Sequence, residues 1–156
     1  MAPNSQNSRQ MGQRGLPALL IGAWGLYQII LGLYFILIRP SFLPEDLRAS
    51  GTTLEAVRSA APGIEAWLNL VFAVLGGQMA ASGVLLTATA WRVFKGHHPA
   101  PVEVAACIVA GLLSVTLMSA VNFVLGSDFR WLLIAPVILW LAVIVVLCRR
   151  TSSNAS

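Results

Sequence analysis

Four long runs of apolar residues, interrupted by almost no charged side chains, constrain this 156-residue chain more than any other feature. The runs cover residues 17–38, 66–94, 102–126 and 131–148. Roughly 20 apolar residues, at about 1.5 Å each, cross the hydrocarbon core of a bilayer. Because backbone groups in lipid need partners within their own segment, each run predicts a helix. The sequence therefore predicts an all-α polytopic membrane protein, a four-transmembrane-helix antiparallel bundle.

The composition excludes most other classes of protein. Hydrophobic residues make up 57% of the chain and charged residues only 10%, whereas soluble domains carry about 25% charged residues. So little charge cannot cover a water-facing surface, which excludes a soluble enzyme, a disordered chain, a coiled coil and a disulfide scaffold. The alternation typical of outer-membrane strands is also missing from the sequence.

The ends of the chain are polar and predict three parts. Residues 1–15 have nothing to bury and predict a disordered cytoplasmic tail, residues 16–150 a four-helix domain, and residues 151–156 a second cytoplasmic tail. The first apolar run exceeds the apolar region of a signal peptide and lacks a small-residue cleavage site, so we expect it to remain in the mature protein.

The distribution of Lys and Arg predicts the orientation. With the N-terminus inside, the cytoplasmic segments carry more basic residues than the outer segments, which is the bias that membrane insertion follows. The inner residues are Arg9, Arg14, Arg92, Lys95, Arg149 and Arg150, and the outer ones are Arg39, Arg48, Arg58 and Arg130. We therefore expect both termini in the cytoplasm. The pI near 9.8 indicates contact with anionic membrane lipids. A nucleic-acid partner is not expected, because the sequence lacks a clustered basic face with aromatic residues between the charges.

The loop after the first run carries helix signals of its own. Pro44, followed by Glu45 and Asp46, is typical of a first helical turn, and Thr52 with Glu55 reads as a capping box. Gly51 is expected to separate the two short helices. The loop is thus predicted to lie on the membrane surface as short amphipathic helices, either as a lid over an outward-facing cavity or as a connector that caps the bundle.

Small residues predict where the helices pack. Ala73, Gly77 and Ala81 form one strip on the second run, and residues 76, 80 and 83 form an adjacent strip. Such strips let helix backbones approach in lipid, so Gly77 is expected at a helix–helix contact and the first three spans at the tight centre. The fourth span is expected to face lipid or an oligomer partner. The same small-residue faces predict self-association or contact with another membrane protein.

Four neutral polar residues within the spans are the candidate ligand contacts. They are Gln28, Asn69, Gln78 and Asn122. Each of these amides is also suited to hydrogen bonding between helices, so two interpretations stay open. No acidic or basic residue lies deep in a span, which argues against a proton-driven pump, because proton carriers place an ionisable group near the midplane.

The connector between the second and third runs holds the only cluster suited to metal or acid–base chemistry, His97 and His98 followed by Glu103. A tetrahedral metal site needs three or four converging ligands, and adjacent histidines point in different directions. No catalytic, metal or cofactor site is therefore predicted.

One segment of the chain runs from Leu43-Pro44-Glu45-Asp46-Leu47 through Gly51-Thr52-Thr53 and Pro62-Gly63 to Trp67-Leu68, and it continues with Val71-Phe72 and Gly76-Gly77. This segment resembles small uncharacterised four-span bacterial membrane proteins. The resemblance implies the bacterial inner membrane and carries no established activity.

Three functions are compatible with these features. The lack of charges within the spans favours a structural or accessory membrane protein without a catalytic site. The alternative is a component that binds or transports a lipid or small molecule through the neutral polar residues between helices 1–3. An integral-membrane enzyme has the least support, because only the connector of residues 92–103 or Glu65 offers an acid or base at the membrane edge.

Overall fold

The computed structural model describes residues 5–153, with side chains described from residue 15 to residue 149. Seven α-helices follow one another, and a π-helical turn joins the fifth to the sixth. They are α1 (Ser5–Leu37), α2 (Pro44–Ser50), α3 (Leu54–Ala60), α4 (Ile64–Phe94), α5 (Pro101–Gly111), the π turn (Leu112–Thr116), α6 (Leu117–Val124) and α7 (Ile134–Ser153). No strand occurs among residues 5–153, so the described chain is all-helical.

The two predicted tails overlap these helices. Helix α1 begins at Ser5, inside the segment predicted to be disordered, and α7 continues to Ser153. The rest of the predicted tails, residues 1–4 and 154–156, lies outside the described residues.

Three helical segments are long and apolar enough to cross a membrane: Gly15–Leu37, Ile64–Phe94 and Pro101–Val124. These segments identify the chain as an integral membrane protein. The fourth apolar helix, Ile134–Arg149, is shorter, and at the usual rise it measures about 24 Å. It begins after the predicted start because residues 131–133 form turns, and Pro136 fits its first helical turn, where a missing N–H is harmless.

Helices α1 and α4 pack backbone against backbone. A Cβ atom added to Gly32 would lie 2.5 Å from the carbonyl oxygen of Gly76, and one added to Gly83 would lie 2.5 Å from that of Gly25. Only glycine at these positions permits so close an approach. The prediction that Gly77 lies at this contact is wrong, because a Cβ there would have nothing within 4 Å. The adjacent strip of α4, formed by Gly76, Ala80 and Gly83, makes the contact instead.

Helix α7 packs against both α1 and α5. Its Trp140 lies over Gly111, in the space that a Cβ there would occupy, and the indole Nε1–H donates to the carbonyl of Cys107 at 3.1 Å. Val143 and Leu147 are also buried. The expectation that the fourth span faces lipid or an oligomer partner is therefore wrong for this side of α7. The first three spans were also expected to form the tight centre, but the third span packs on α7 and not closely on α4.

The loop between α1 and α4 contains two short helices, α2 and α3, close to where the sequence predicts them. Gly51 separates them in a left-handed conformation with φ of 64°. The N-cap of α3 is Thr53, whose hydroxyl oxygen accepts from the Ala56 N–H, and not the predicted Thr52.

Polar contacts fasten this loop to two separate parts of the fold. Arg58 donates two hydrogen bonds to Glu65 at the start of α4, and this pairing raises the pKa of the Arg58 guanidinium above its ordinary value. Arg48 donates to both carboxylate oxygens of Asp128 in the turn between α6 and α7. The loop thus connects the α1–α4 pair with that turn. We call the end of the molecule that contains this loop the loop end. The opposite end, which contains the α4–α5 connector, is called the terminal end.

Candidate functional site

A groove runs between α4 and the α5–α6 segment, with α1 as its floor. It consists of two cavities of about 490 and 390 Å³ that share lining residues. Volumes of this size are typical of small-molecule sites. The shared residues are Gln28, Ser82, Leu113 and Ser114. The groove exists because α4 packs on α1, whereas α5 and the π turn pack on α7.

Gln28 is the most unusual residue of the groove. It lies on the floor and is only 2% exposed as a whole residue. Its amide makes no hydrogen bond to another of the described residues and is not among their fully buried polar atoms, so the amide faces the groove. Trp24, one helical turn earlier, lines the same groove, and its buried indole N–H is likewise unpartnered among the described residues. A buried polar group without a partner costs about 1–3 kcal/mol. The floor therefore presents unused hydrogen-bonding groups beside an apolar groove.

The hydroxyl groups on the groove walls are satisfied within their own helices. Ser82 Oγ donates to the carbonyl of Gln78 at 2.9 Å, and Ser114 Oγ donates to that of Ala110 at 2.6 Å. These bonds to the preceding turn leave the walls with little hydrogen-bonding demand. Among the described residues, the polar groups of the groove without a hydrogen-bond partner are thus mainly those of the floor, together with the exposed amide of Gln78 on the α4 wall.

Three of the four predicted ligand-contact residues line one cavity of the groove. Gln28, Gln78 and Asn122 come from α1, α4 and α6 and meet in the 390 Å³ cavity. Asn122 uses its amide N–H on the carbonyl of Met118 at 2.9 Å. Asn69 does not join them, because its Oδ1 atom accepts from the Ser41 hydroxyl at 2.7 Å at the loop end.

A polar cluster closes the terminal end of the groove. Glu103 lines the larger cavity, accepts the Ala100 N–H at 2.7 Å, and lies 3.0 Å from His97 Nε2 and 3.3 Å from Arg92. His98 is exposed and does not join this cluster. Among the described residues, no group of three or more His, Cys, Asp or Glu side chains could hold a metal ion. The absence of a metal site stays a prediction.

Glu45, which the sequence analysis names only as part of a helix start, is buried at the loop end. It is 3% exposed and accepts a hydrogen bond from Ser127 Oγ at 3.0 Å. It lines a third cavity, which adjoins the groove through four shared lining residues, Phe35, Met118, Val121 and Asn122. The sequence places it in the first turn of a surface helix, where carboxylates normally face water. Its burial depends on the distant turn between α6 and α7, which no local signal reveals.

Comparison of the chain with protein-family models, with curated proteins and with solved structures gives no match. The geometry of the groove and of the buried polar side chains is therefore the basis for any functional conclusion.

Proposed function

We propose that all four apolar helices cross the membrane as an antiparallel bundle in the bacterial inner membrane, with both termini in the cytoplasm. The three long apolar helices and the Lys/Arg distribution support this arrangement. For the shorter α7, the apolar residues 131–133 extend the hydrophobic stretch beyond the helix. The resemblance to small bacterial four-span proteins supports the location.

Labelling of single cysteines tests this topology. In a variant lacking Cys107 and Cys148, a membrane-impermeant maleimide should leave a Ser5→Cys protein unlabelled in intact cells and label it after permeabilisation. Thr52→Cys, in the loop between α2 and α3, should be labelled in intact cells. The reverse pattern would contradict the proposed orientation.

We further propose that the protein binds an apolar or amphipathic molecule in the groove, and that this molecule carries a neutral hydrogen-bonding group. The unpartnered amide of Gln28 carries this proposal. A ligand hydroxyl, ester or amide that meets Gln28 would supply the missing bond, while the apolar walls would hold the rest of the molecule. No step of catalysis is included, and lipids are the most abundant molecules of this type around the chain.

The structural or accessory role, which the sequence favours, remains the second candidate. The exposed strip around Gly77 supports it, because small residues on an outward helix face suit contact with a second copy or another membrane protein. An accessory role alone gives no reason for an amide that faces the groove and has no hydrogen-bond partner among the described residues. Ligand binding is therefore the better-supported function.

Lipid retention tests the binding proposal. Native mass spectrometry of protein purified in a mild detergent should detect a retained lipid-like molecule on the wild type. Gln28→Leu should lose it, because leucine fills a similar volume but cannot hydrogen-bond. Asn69→Leu is the matched control, since it removes an amide outside the groove and should keep the ligand. Equal retention by wild type and Gln28→Leu would exclude a role of the groove amide in binding.

A further inference from the structure

A third cavity, which we call the Glu45 pocket, lies at the loop end. It has a volume of about 470 Å³ and is enclosed by the end of α1, α2, α6 and the turns before α7. Most of its walls are apolar or aromatic, and its charged residues all come from one side. Its principal residues are Tyr34, Phe35, Arg39, Glu45, Asp46 and Phe129.

The Glu45 carboxylate is buried in this pocket without a counter-ion. One oxygen, Oε1, accepts the Ser127 hydroxyl, and Oε2 has no hydrogen-bond partner among the described side chains, residues 15–149. No basic nitrogen from residues 15–149 lies within 4 Å of the Glu45 carboxylate. A buried carboxylate without a nearby cation favours a cationic ligand at the same place, and Glu45 lies in the wall of the pocket, where such a ligand would meet it.

Arg39 also lines the pocket, but its guanidinium is already engaged elsewhere. It donates to Asp46 Oδ2 at 3.3 Å and to the carbonyl of Pro40 at 3.0 Å. It also lies 3.6 Å from the ring centre of Phe72 on α4. These contacts hold the charge of Arg39 towards Asp46 and α4, and they leave Glu45 as the unpaired anion of the pocket.

We propose that the Glu45 pocket binds an amphiphilic monocation, an ammonium group attached to an apolar body. The ammonium would pair with Glu45, and the aromatic rings of Tyr34, Phe35 and Phe129 offer further attraction to a cation. The apolar walls suit the remainder of the molecule. The Glu45 pocket shares four lining residues with the smaller groove cavity, but Gln28 does not line it. This inference therefore goes beyond the groove ligand proposed above and does not depend on the contact with Gln28.

The charge of the pocket determines its selectivity. With Glu45 and Asp46 against one already paired arginine, an anionic amphiphile would meet net repulsion. A neutral analogue would lack the charge pair with Glu45. The expected order of affinity is therefore ammonium, then alcohol, then carboxylate.

The test uses three water-soluble probes with the same body: 4-phenylbutylammonium, 4-phenylbutanol and 4-phenylbutyrate. Calorimetric titration of the full-length protein in an uncharged detergent should show the ammonium binding about tenfold more tightly than the alcohol, because only the ammonium forms a charge-assisted pair with Glu45. The carboxylate should not bind. This order needs no variant, and equal affinity for all three probes would overturn the proposal.

Variants then locate the site. Glu45→Gln should bring the affinity for the ammonium down to that for the alcohol, whereas Glu55→Gln, which removes an exposed carboxylate on α3, should leave the preference unchanged. Gln28→Leu should also leave it unchanged, which separates this site from the groove. A folded Glu45→Gln protein that kept the preference would contradict the assignment.

A competition experiment identifies the natural source of the ammonium. Displacement of 4-phenylbutylammonium by phosphatidylethanolamine, but not by phosphatidylglycerol, would assign the site to a lipid headgroup. If neither lipid displaces the probe, the site is assigned to a free amphiphilic amine.

Discussion

The two sides of α1 pack in different ways. Towards α4, glycines bring the two backbones together, and Gly25, Gly32, Gly76 and Gly83 leave no room for a side chain. Towards α5 and α6, the same helix borders open space and exposes the amide of Gln28 to the groove. Helices in lipid gain no hydrophobic energy from pairing, so close backbone contact is a main source of stability. The comparison shows a closely packed α1–α4 pair, which we expect to be rigid, and a more open arrangement of α1 towards α5 and α6.

The largest expected effect concerns the rigid pair. Gly76→Leu places a side chain against the carbonyl of Gly32. This overpacking should lower the free energy of unfolding by about 3 kcal/mol. Gly77→Leu is the neighbouring control, because nothing lies within 4 Å of its Cβ position. Membrane yield and thermal melting in detergent measure both. Similar losses for the two variants would show that the contact face of α4 is misassigned.

The second prediction concerns the contact between α5 and α7. Gly111→Ala puts a methyl group where the Trp140 ring lies, and we expect a loss of about 1–2 kcal/mol, because a side chain shifts more easily than a backbone. In a Trp140→Leu background the Gly111→Ala change should cost less, since the clashing ring is absent, although Trp140→Leu by itself also lowers stability. Thermal melts of the two single variants and the double variant give the coupling energy, and simple additivity would contradict the contact.

A smaller effect is expected on the groove floor. Gln28→Leu removes an amide that has no partner, so the stability of the ligand-free protein should stay the same or rise by up to about 1 kcal/mol. Asn69→Leu should instead lower it by about 1 kcal/mol, because the bond with Ser41 is lost. Chemical unfolding after removal of lipids measures both. A marked loss for Gln28→Leu would mean that the amide has a structural partner.

The smallest effect is expected at the ion pair between the loop and the α6–α7 turn. Arg48 and Asp128 are 59% and 67% exposed, and exposed pairs are worth about 0.2–1 kcal/mol. Arg48→Ala should therefore change the free energy of unfolding by less than about 1 kcal/mol. Adding salt to the wild type should reproduce the effect, since salt screens the pair. A larger change would show that this ion pair holds the two halves together.

The sequence was informative where a signal was local. Apolar runs located the three long helices to within about two residues at most ends, and Pro44 and Gly51 correctly located the limits of α2. The onset of α7 was missed by three residues, since the run from Trp131 gave no sign of turns there. Hydropathy registers how apolar a segment is, and it says little about where turns interrupt it.

The sequence could not predict which face of a helix meets its neighbour, or which distant residues the fold brings together. The strips containing Gly76 and Gly77 are adjacent on α4 and equally rich in small residues, so composition did not decide which one meets α1. The amides of Gln28 and Asn69 looked equivalent, and only the fold places one on the groove floor and the other beside Ser41. The burial of Glu45 depends on Ser127, a residue distant in the chain.

The π turn at Leu112–Thr116 makes the α5–α6 segment sensitive to its residue count. A π turn holds one residue more than an α-helical turn, and each residue advances a helix by about 100°. Deletion of one residue within this turn would allow continuous α-helix and would rotate everything after it by about that angle relative to α5. Ser119, which donates to the carbonyl of Leu133, would turn away from the α7 side, and Asn122 would leave the groove. The length of this segment, and not only its composition, therefore sets which side chains face the groove.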